Sequence, residues 1–337
     1  MKQSMVGVSG RPAAQMKTRE AVLDALRSAQ DRGVSGQALA SSLGVSRVAV
    51  RKHVAALRAE GYGIDALPGR GYTLRSVPDA PLPGEVVRLL NGGFWTRVTG
   101  GGETGSTNDD ARALARASAE KGTVVLASRQ VSGRGRLGRT WESPEGGAYF
   151  SMVLRPSVSP ADASSLALAV AVGIAEGLEA LGVGVTLKWP NDVFLGEGKV
   201  AGVLLEMTAE ADRVDWVIVG IGVNVRRSSG SVTSAPGAAY LRDHADVPVY
   251  EVVATLLNAI ATVYAKWDAG GFGSIRESYQ RRLAMVGSPV RVTGLDGAVR
   301  ADGIAIGVDD EGRLLVEAGD GIAAVASGEV TLRTQTP

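Results

Sequence analysis

Gly133-Arg134-Gly135-Arg136-Leu137-Gly138-Arg139-Thr140-Trp141 is a literal Gly-x-Gly-x-x-Gly string, and how it is read decides the fold. It follows an apolar run, Thr123 to Ala127, that reads as a strand. A dinucleotide-binding fingerprint would open directly into a helix whose N-terminus holds the pyrophosphate. Here the chain continues Trp141-Glu142-Ser143-Pro144-Glu145-Gly146-Gly147, a series of turn formers, so that fold is excluded. A P-loop is excluded as well, because Lys199 in Gly196-Glu197-Gly198-Lys199-Val200 has no hydroxyl residue after it. What remains is a glycine-rich loop bearing the guanidinium groups of Arg134, Arg136 and Arg139. Such a loop can wrap an anion: glycine lets successive backbone N–H groups converge on oxygens, and arginine supplies a planar fork that lysine does not reproduce.

The composition narrows the chemistry around this loop. A chain of 337 residues exceeds one ordinary core and predicts two to three domains. The net charge of +1 argues against a general nucleic-acid coat but permits a small basic domain on a balanced enzyme. There is no cysteine, which removes disulfides, thiolate nucleophiles and sulfur-rich zinc sites. His53 and His244 are the only histidines and lie far apart, which leaves little for a metal cluster or a Ser/His/Asp triad. Chemistry is therefore expected from Lys, Arg, carboxylates and backbone groups. Residues 1 to 16 lack the apolar core of a signal peptide and read as a disordered tail, so a cytoplasmic location is expected. The uncharged run Ala163 to Ala175 is too short to span a bilayer and reads as a buried helix, with no membrane partner.

Outward from the loop, the hydrophobic period changes along the chain. Over residues 17 to 76 the pattern is a winged helix-turn-helix. Val22, Leu23 and Leu26, then Leu39 and Leu43, then Val50, Val54 and Leu57 mark three helical faces. Ser35 and Ser46 stand at N-cap positions, and Gly44 falls in the turn between the second and third helices. Arg47, Arg51, Lys52 and His53 point outward on the third helix. Two short strands around Pro68-Gly69 make a wing tipped by Arg70. A small helical bundle with a solvated charged face would share the periodicity, but the turn glycine, the serine cap and the basic wing favour DNA binding. His53 reads as a helix-surface residue and not as a catalytic group.

Residues 77 to 84 hold three prolines and read as a linker. Residues 85 to 284 read as an α+β domain with strands at 123–128, 148–154, 185–188, 200–207 and 214–225 and helices at 107–120, 161–181 and 249–268. Residues 285 to 337 read as a small β-barrel, with strands at 289–293, 298–306, 313–316, 322–326 and 329–332. No internal repeat is found.

A second cluster, Lys188-Trp189-Pro190-Asn191-Asp192, follows the strand-like Val185 to Leu187. It would set an ammonium and a carboxylate beside an apolar wall, although a strand end followed by a turn fits the same residues equally well. Lys199 to Glu206 and Gly220 to Asn224 add polar groups beside strands and, taken singly, read as packing. Together with Pro68-Gly69-Arg70-Gly71-Tyr72, Ser106-Thr107-Asn108 and Gly328-Glu329-Val330-Thr331-Leu332-Arg333, these segments resemble the bifunctional biotin protein ligases, or biotin operon repressors, over nearly the whole chain. The glycine/arginine loop with the Lys-Trp-Pro-Asn-Asp run at this separation is the specific part of the resemblance.

The resemblance implies a central mixed α/β ligase domain with an SH2-like, class II synthetase-like sheet and a C-terminal SH3-like barrel. It implies that biotin and ATP form biotinyl-5′-AMP, with Mg²⁺, and that biotin passes to a lysine of a biotin carboxyl carrier protein. Both nucleophiles then belong to substrates, which suits a chain without cysteine. By position, Ser106, Thr107, Asn108 and Gln130 would bind the ureido ring and its surroundings. Arg134, Gly135 and Arg136 would close over the carboxylate and α-phosphate, and Lys188 would meet the reacting oxygens. Trp141 would shape the pocket, Asn224 would lie near the adenylate, and Asp192 would contact magnesium. Lys199 and Arg333 are further candidates. The repressor role implies Arg47, Arg51, Lys52 and Arg70 on an operator, and a homodimer when biotinyl-AMP is bound. One departure stands out. The family covers adenine with apolar or aromatic residues after the asparagine, whereas here Arg226-Arg227-Ser228-Ser229-Gly230-Ser231-Val232 follows, and the first aromatic is Tyr240. The 133–139 loop is expected to be mobile when empty, because its arginines repel and its glycines have much entropy to lose. A lipoate-type ligase, a ligand-sensing transcription factor without ligase activity, and a ligase that no longer reads DNA are the alternatives.

Overall fold

A computed structural model describes residues 11–228, 237–294, 296–319 and 321–332, with side chains from residue 18 onward. The chain divides into two units, Met1–Asp79 and Ala80–Pro337. In the first, helices α1 (Arg11–Ala29), α2 (Gly36–Leu43) and α3 (Arg47–Ala59) precede a hairpin of β1 (Gly63–Leu67) and β2 (Gly71–Ser76). Helix α1 begins inside the stretch expected as a tail: Pro12 sits in its first turn, and Ala13, Ala14, Gln15 and Met16 favour helix. Ser35 and Ser46 accept hydrogen bonds from the backbone N–H groups of Ala38 and Ala49 at 3.0 and 3.1 Å, and Gly44 ends α2 at φ 64°. Val22, Leu26, Leu39, Val50, Val54 and Leu57 form the core. Tyr72 bridges back to Val34, which fixes the hairpin as a wing.

The second unit opens on α4 (Pro83–Leu89), so the proline-rich linker ends before Pro83, which starts a helix as proline does well. Strands β3 (Arg97–Gly100) and β4 (Glu103–Thr104), helix α5 (Thr107–Arg116), and strands β5 (Thr123–Ala127), β6 (Arg129–Gln130) and β7 (Ala148–Leu154) follow. The expected helix 161–181 is broken at Ser164-Ser165 into α6 (Pro160–Ala163) and α7 (Leu166–Ala180). Then come β8 (Thr186–Lys188), β9 (Asp192–Leu195), β10 (Gly198–Ala209), β11 (Val214–Val223), α8 (Val249–Gly270) and α9 (Arg276–Gln280). Strand β9 was not anticipated, because four residues behind a proline turn carry too little periodicity to register.

Seven strands form one sheet in the order β3-β5-β7-β11-β10-β9-β8, parallel only between β3 and β5. Side chains alternate between its faces as a period of two requires. Val124, Leu126, Phe150, Met152, Val217 and Val219 join the main core under α7 and α8. Val125, Val153, Trp216 and Ile218 join Ala111 and Ala115 of α5 on the other face. Helices α7 and α8 approach closely because Gly173 faces Ile260, where a Cβ would lie 2.8 Å from its Cα. This places the apolar run of α7 in the core, although Pro160–Ala180 is long and apolar enough to cross a bilayer by composition. The C-terminal part holds β12 (Pro289–Thr293), β13 (Val299–Val308), β14 (Leu314–Ala318), β15 (Gly321–Val325) and β16 (Glu329–Leu332) in the antiparallel order β15-β14-β13-β12-β16. No ladder joins β15 to β16 among the described residues, so this small β-domain is open at that seam.

Candidate active site

One concave site in the second unit collects Ser106, Thr107, Asn108, Gln130, Arg134, Gly135, Arg136, Trp141, Lys188, Asp192 and Lys199. Its two ends differ in charge. At one end, the start of α5 meets β6, β7 and β10 in a hydrogen-bonded chain of hydroxyl and amide groups that ends on Glu206, a carboxylate paired with Arg112 at 2.7 Å. Gln130 Oε1 accepts from the Thr107 N–H at 2.8 Å and from its hydroxyl at 3.0 Å, and Gln130 Nε2 donates to Ser143 Oγ at 2.8 Å. Ser151 Oγ lies 2.7 Å from Thr107 Oγ1 and 2.6 Å from Asn108 Oδ1. The Asn108 amide donates to Glu206 at 2.9 Å. Gly220 makes room for Asn108, since a Cβ there would stand 2.1 Å from its Oδ1. Ser106 caps α5 without a side-chain capping bond, which leaves its hydroxyl for a ligand.

At the other end are two cations without carboxylate partners. Arg136 donates to Asn191 Oδ1 at 3.1 Å and, weakly, to Gly328 O at 3.5 Å, and no carboxylate lies within ion-pair distance among the described residues. Burial pulls its pKa down, against the opposing pull of Asp192 and Glu329. Lys188, at the end of β8, has Nζ 5.8 Å from the centre of the Phe194 ring and likewise no ion pair. A desolvated guanidinium satisfied only by neutral oxygens favours an incoming anion. The turn between them includes a cis Trp189-Pro190 peptide. It is fastened to the β-domain by Trp189 Nε1, which donates to Gly312 O at 3.0 Å, and Asn191 Nδ2 donates to Val203 O at 2.8 Å.

The glycine/arginine loop is folded over this end. Gly135 N–H donates to Arg139 O at 2.7 Å, Trp141 N–H donates to Gly133 O at 3.0 Å, and Leu137 adopts a left-handed conformation at φ 59°. Arg139 pairs with Glu329 of the β-domain. Arg134 is not the free cation expected: it makes a two-pronged pair with Asp109, both distances 2.8 Å, which raises its own pKa and holds the Asp109 carboxyl below its usual range. Glu206 stands 3.6 Å away as a further partner. The Trp141 indole lies against the paired glycines Gly202 and Gly222 of β10 and β11. A Cβ on Gly222 would fall 2.4 Å from Trp141 Nε1.

Other expected site residues are placed differently. Asn224 lies outside the cavity and clasps β10, its amide donating to Lys199 O at 3.1 Å. Asp192 is paired with Lys199 Nζ at 2.6 Å, and the described residues hold no group of three or more His, Asp or Glu side chains able to cage a metal. The expected magnesium contact is therefore not supported by this donor set. Lys199 Nζ also stands 5.1 Å from the centre of the Trp141 ring. Arg333 and residues 229–232, where the family would cover adenine and this chain departs from it, lie outside the described residues; Arg227 lies over the Tyr240 ring at 4.6 Å. In the first unit, Arg47, Arg51 and Lys52 are exposed along α3, Arg70 is exposed in the wing turn, and Arg47 and Arg51 line a groove with Pro68 and Tyr72. The His53 pKa is lowered by partial burial, then by Arg19 and Lys52.

Asp109, Ser143, Ser151, Asn191, Glu206 and Glu329 were not foreseen as site residues. Asp109 had a local signal, an acidic side chain in the first turn of α5 beside Ser106-Thr107-Asn108. Asn191 lies in the Lys188–Asp192 run already singled out, and the remaining four are brought in by strand pairing, by the loop after residue 141 and by the β-domain.

Comparison with known proteins bears on this geometry. Residues 103–224 match the biotin/lipoate A/B protein ligase family, residues 18–73 a helix-turn-helix domain, and residues 286–333 the biotin protein ligase C terminal domain. The chain is 34% identical over 330 residues to the bifunctional ligase/repressor BirA of Bacillus subtilis (strain 168), covering 93% of this chain and 98% of that protein. Against the Escherichia coli (strain K12) protein of the same name it is 31% identical over 311 residues, covering 89% and 93%. Among solved structures, the biotin protein ligase from Aquifex aeolicus in complex with biotin and ATP superposes with a TM-score of 0.61 at 31% identity, covering 71% of this chain and 99% of that one. With its two-ended site on the ligase sheet, its helix-turn-helix unit and its C-terminal β-domain, the chain belongs to the biotin protein ligases, among the bifunctional members that join a ligase to a DNA-binding repressor domain.

Proposed function

We propose that the neutral end of the site takes the ureido ring of biotin and the cationic end takes its carboxylate together with the α-phosphate of ATP. The observation that carries this is the pairing of charges. Arg134 is neutralised by Asp109, while Arg136 and Lys188 form no ion pair with a carboxylate among the described residues. A carboxylate oxygen of biotin then attacks the α-phosphorus, the bond to the β-phosphate oxygen breaks, and pyrophosphate leaves. Arg136 and Lys188 hold the two anions together and stabilise the charge that grows on the equatorial oxygens. In the second step the neutral amine of a carrier-protein lysine attacks the acyl carbon, AMP departs, and the amine proton passes to solvent. Ser106, Thr107, Asn108 and Gln130 orient the ring, Gly135 leaves the backbone free to approach, and Trp141 walls the pocket. Arg134 acts in this scheme by holding Asp109 and the loop. Magnesium fits this scheme as an ion carried by the triphosphate, since the described residues hold no group of three or more side chains able to cage it.

The acceptor in this reading is the biotin carboxyl carrier protein of a cytoplasmic carboxylase. The helix-turn-helix unit represses biotin genes as a homodimer formed when biotinyl-5′-AMP is bound, with Arg47, Arg51, Lys52 and Arg70 on the phosphates of a two-part operator. Biotin-dependent exchange of labelled pyrophosphate into ATP tests the activation step. Biotin is expected to support exchange and lipoate is not. Exchange with lipoate alone would replace biotin as the substrate, and exchange with neither would leave a ligand sensor.

A further inference from the structure

Helix α3 is built with two opposite stripes. Val50, Val54 and Leu57, at spacings of four and three, are buried in the core of the first unit. Val48, Lys52 and Ala55 have the same spacing and all three are exposed. Val48 is 76% exposed, the most exposed large apolar side chain among the described residues. It has no folding role to explain it. A branched residue on a solvated helix surface is a poorer helix former than alanine, and it buries nothing here. Its neighbours are cationic: Arg47 and Arg51 flank it, Lys52 lies one turn on, and α3 contains no Asp or Glu. Val48 is the second residue of the helix, two positions after the Ser46 cap, and in helix-turn-helix proteins the N-terminal residues of the recognition helix reach base edges.

We infer that Val48 reads the 5-methyl group of a thymine in the major groove, making it a sequence-specifying residue amid phosphate-binding arginines. The inference rests on the DNA-binding reading above. An apolar branched side chain has no partner on a phosphate and none on the polar edge of cytosine or guanine, whereas the thymine methyl is the one apolar group that the major groove presents. The cations around it set affinity and register without carrying sequence, so Val48 and they divide the work between specificity and attraction.

The test uses the full-length protein with biotin and ATP. Duplexes are selected from a randomised library, and each thymine of the selected site is then replaced singly by deoxyuridine, which removes only the methyl. At one position in each half-site, wild-type binding is expected to fall about fourfold, the worth of one buried methyl-sized group. Val48→Ala, which loses the contact in both half-sites, should bind the thymine and uracil duplexes equally, at about the wild-type affinity for the duplex with both of those thymines replaced, about 16-fold below wild type on the thymine site. Its salt dependence should stay at the wild-type value and its melting temperature should not fall, because no phosphate contact and no core contact is lost and alanine is the better helix former. The inference is overturned if no thymine methyl affects wild-type binding, or if the methyl effect persists in Val48→Ala. A library that enriches no sequence at all overturns the DNA-binding reading itself and this inference with it.

Discussion

Replacing Arg136 by alanine should abolish most of the activation chemistry while leaving the fold intact. Among the described residues Arg136 holds two neutral oxygens, Asn191 Oδ1 at 3.1 Å and Gly328 O at 3.5 Å. Its removal strands no buried carboxylate, so the stability loss should be about 1 kcal/mol, the net worth of ordinary hydrogen bonds. The loss in the transition state is much larger. A unit charge about 4 Å from a developing phosphate charge, at an effective dielectric constant of about 20, contributes about 4 kcal/mol, or roughly 10³-fold in rate. Deleting one donor to a developing oxyanion in other enzymes gives a similar range, about 10²–10³. The assay is biotin-dependent pyrophosphate exchange at saturating biotin and ATP, with thermal unfolding measured alongside. Arg136→Lys should recover part of the rate, because it restores the charge but not the planar fork. A loss below tenfold in Arg136→Ala, or one that tracks a large fall in melting temperature, would refute the assignment.

Three further outcomes follow from the geometry. Gly222→Ala places a methyl against Trp141 and should raise the KM for biotin or ATP with a stability loss of about 1–3 kcal/mol, measured by urea unfolding; unchanged kinetics would show that the indole does not wall the ligand. The Asp109 carboxyl is held below its ordinary value of 3.8, first by the hydrogen bond from Arg134, so the stabilisation it contributes is full above that ordinary value and is lost as pH falls through the lower folded value. The difference in urea midpoint between wild type and Asp109→Asn should therefore be constant from about pH 7 to 5 and shrink below about pH 4; a constant difference down to about pH 2 would contradict the pairing. Limited proteolysis at residues 133–139 should be slower with biotin and ATP bound than without, since a bound anion would tie Arg136, and with it the loop, to the ligand; equal rates would mean that the loop is already fully held by the ties of Arg139 to Glu329 and of Arg136 to Gly328.

The glycine/arginine loop, the Lys188–Asp192 cluster and the capped helices around Gly44 were legible in the sequence because their signals are local: the geometry that each demands is met by residues within a few positions. The charge state of the site was not legible, because the partners that set it are distant in the chain. Arg134 and Arg136 stand two residues apart and look equivalent in sequence, yet the packing of α5 and β10 brings Asp109 and Glu206 to the first, while among the described residues the second meets neutral oxygens. Asp192 reads as a metal ligand until β9 and β10 pair and set Lys199 against it. The space for Trp141 depends on Gly202 and Gly222 meeting across two strands, a register that neither stretch specifies alone. Which residues can bind an anion was thus determined by the sequence; which of them remain free to do so was decided by the tertiary structure, because a charge is available only where the fold has not already neutralised it.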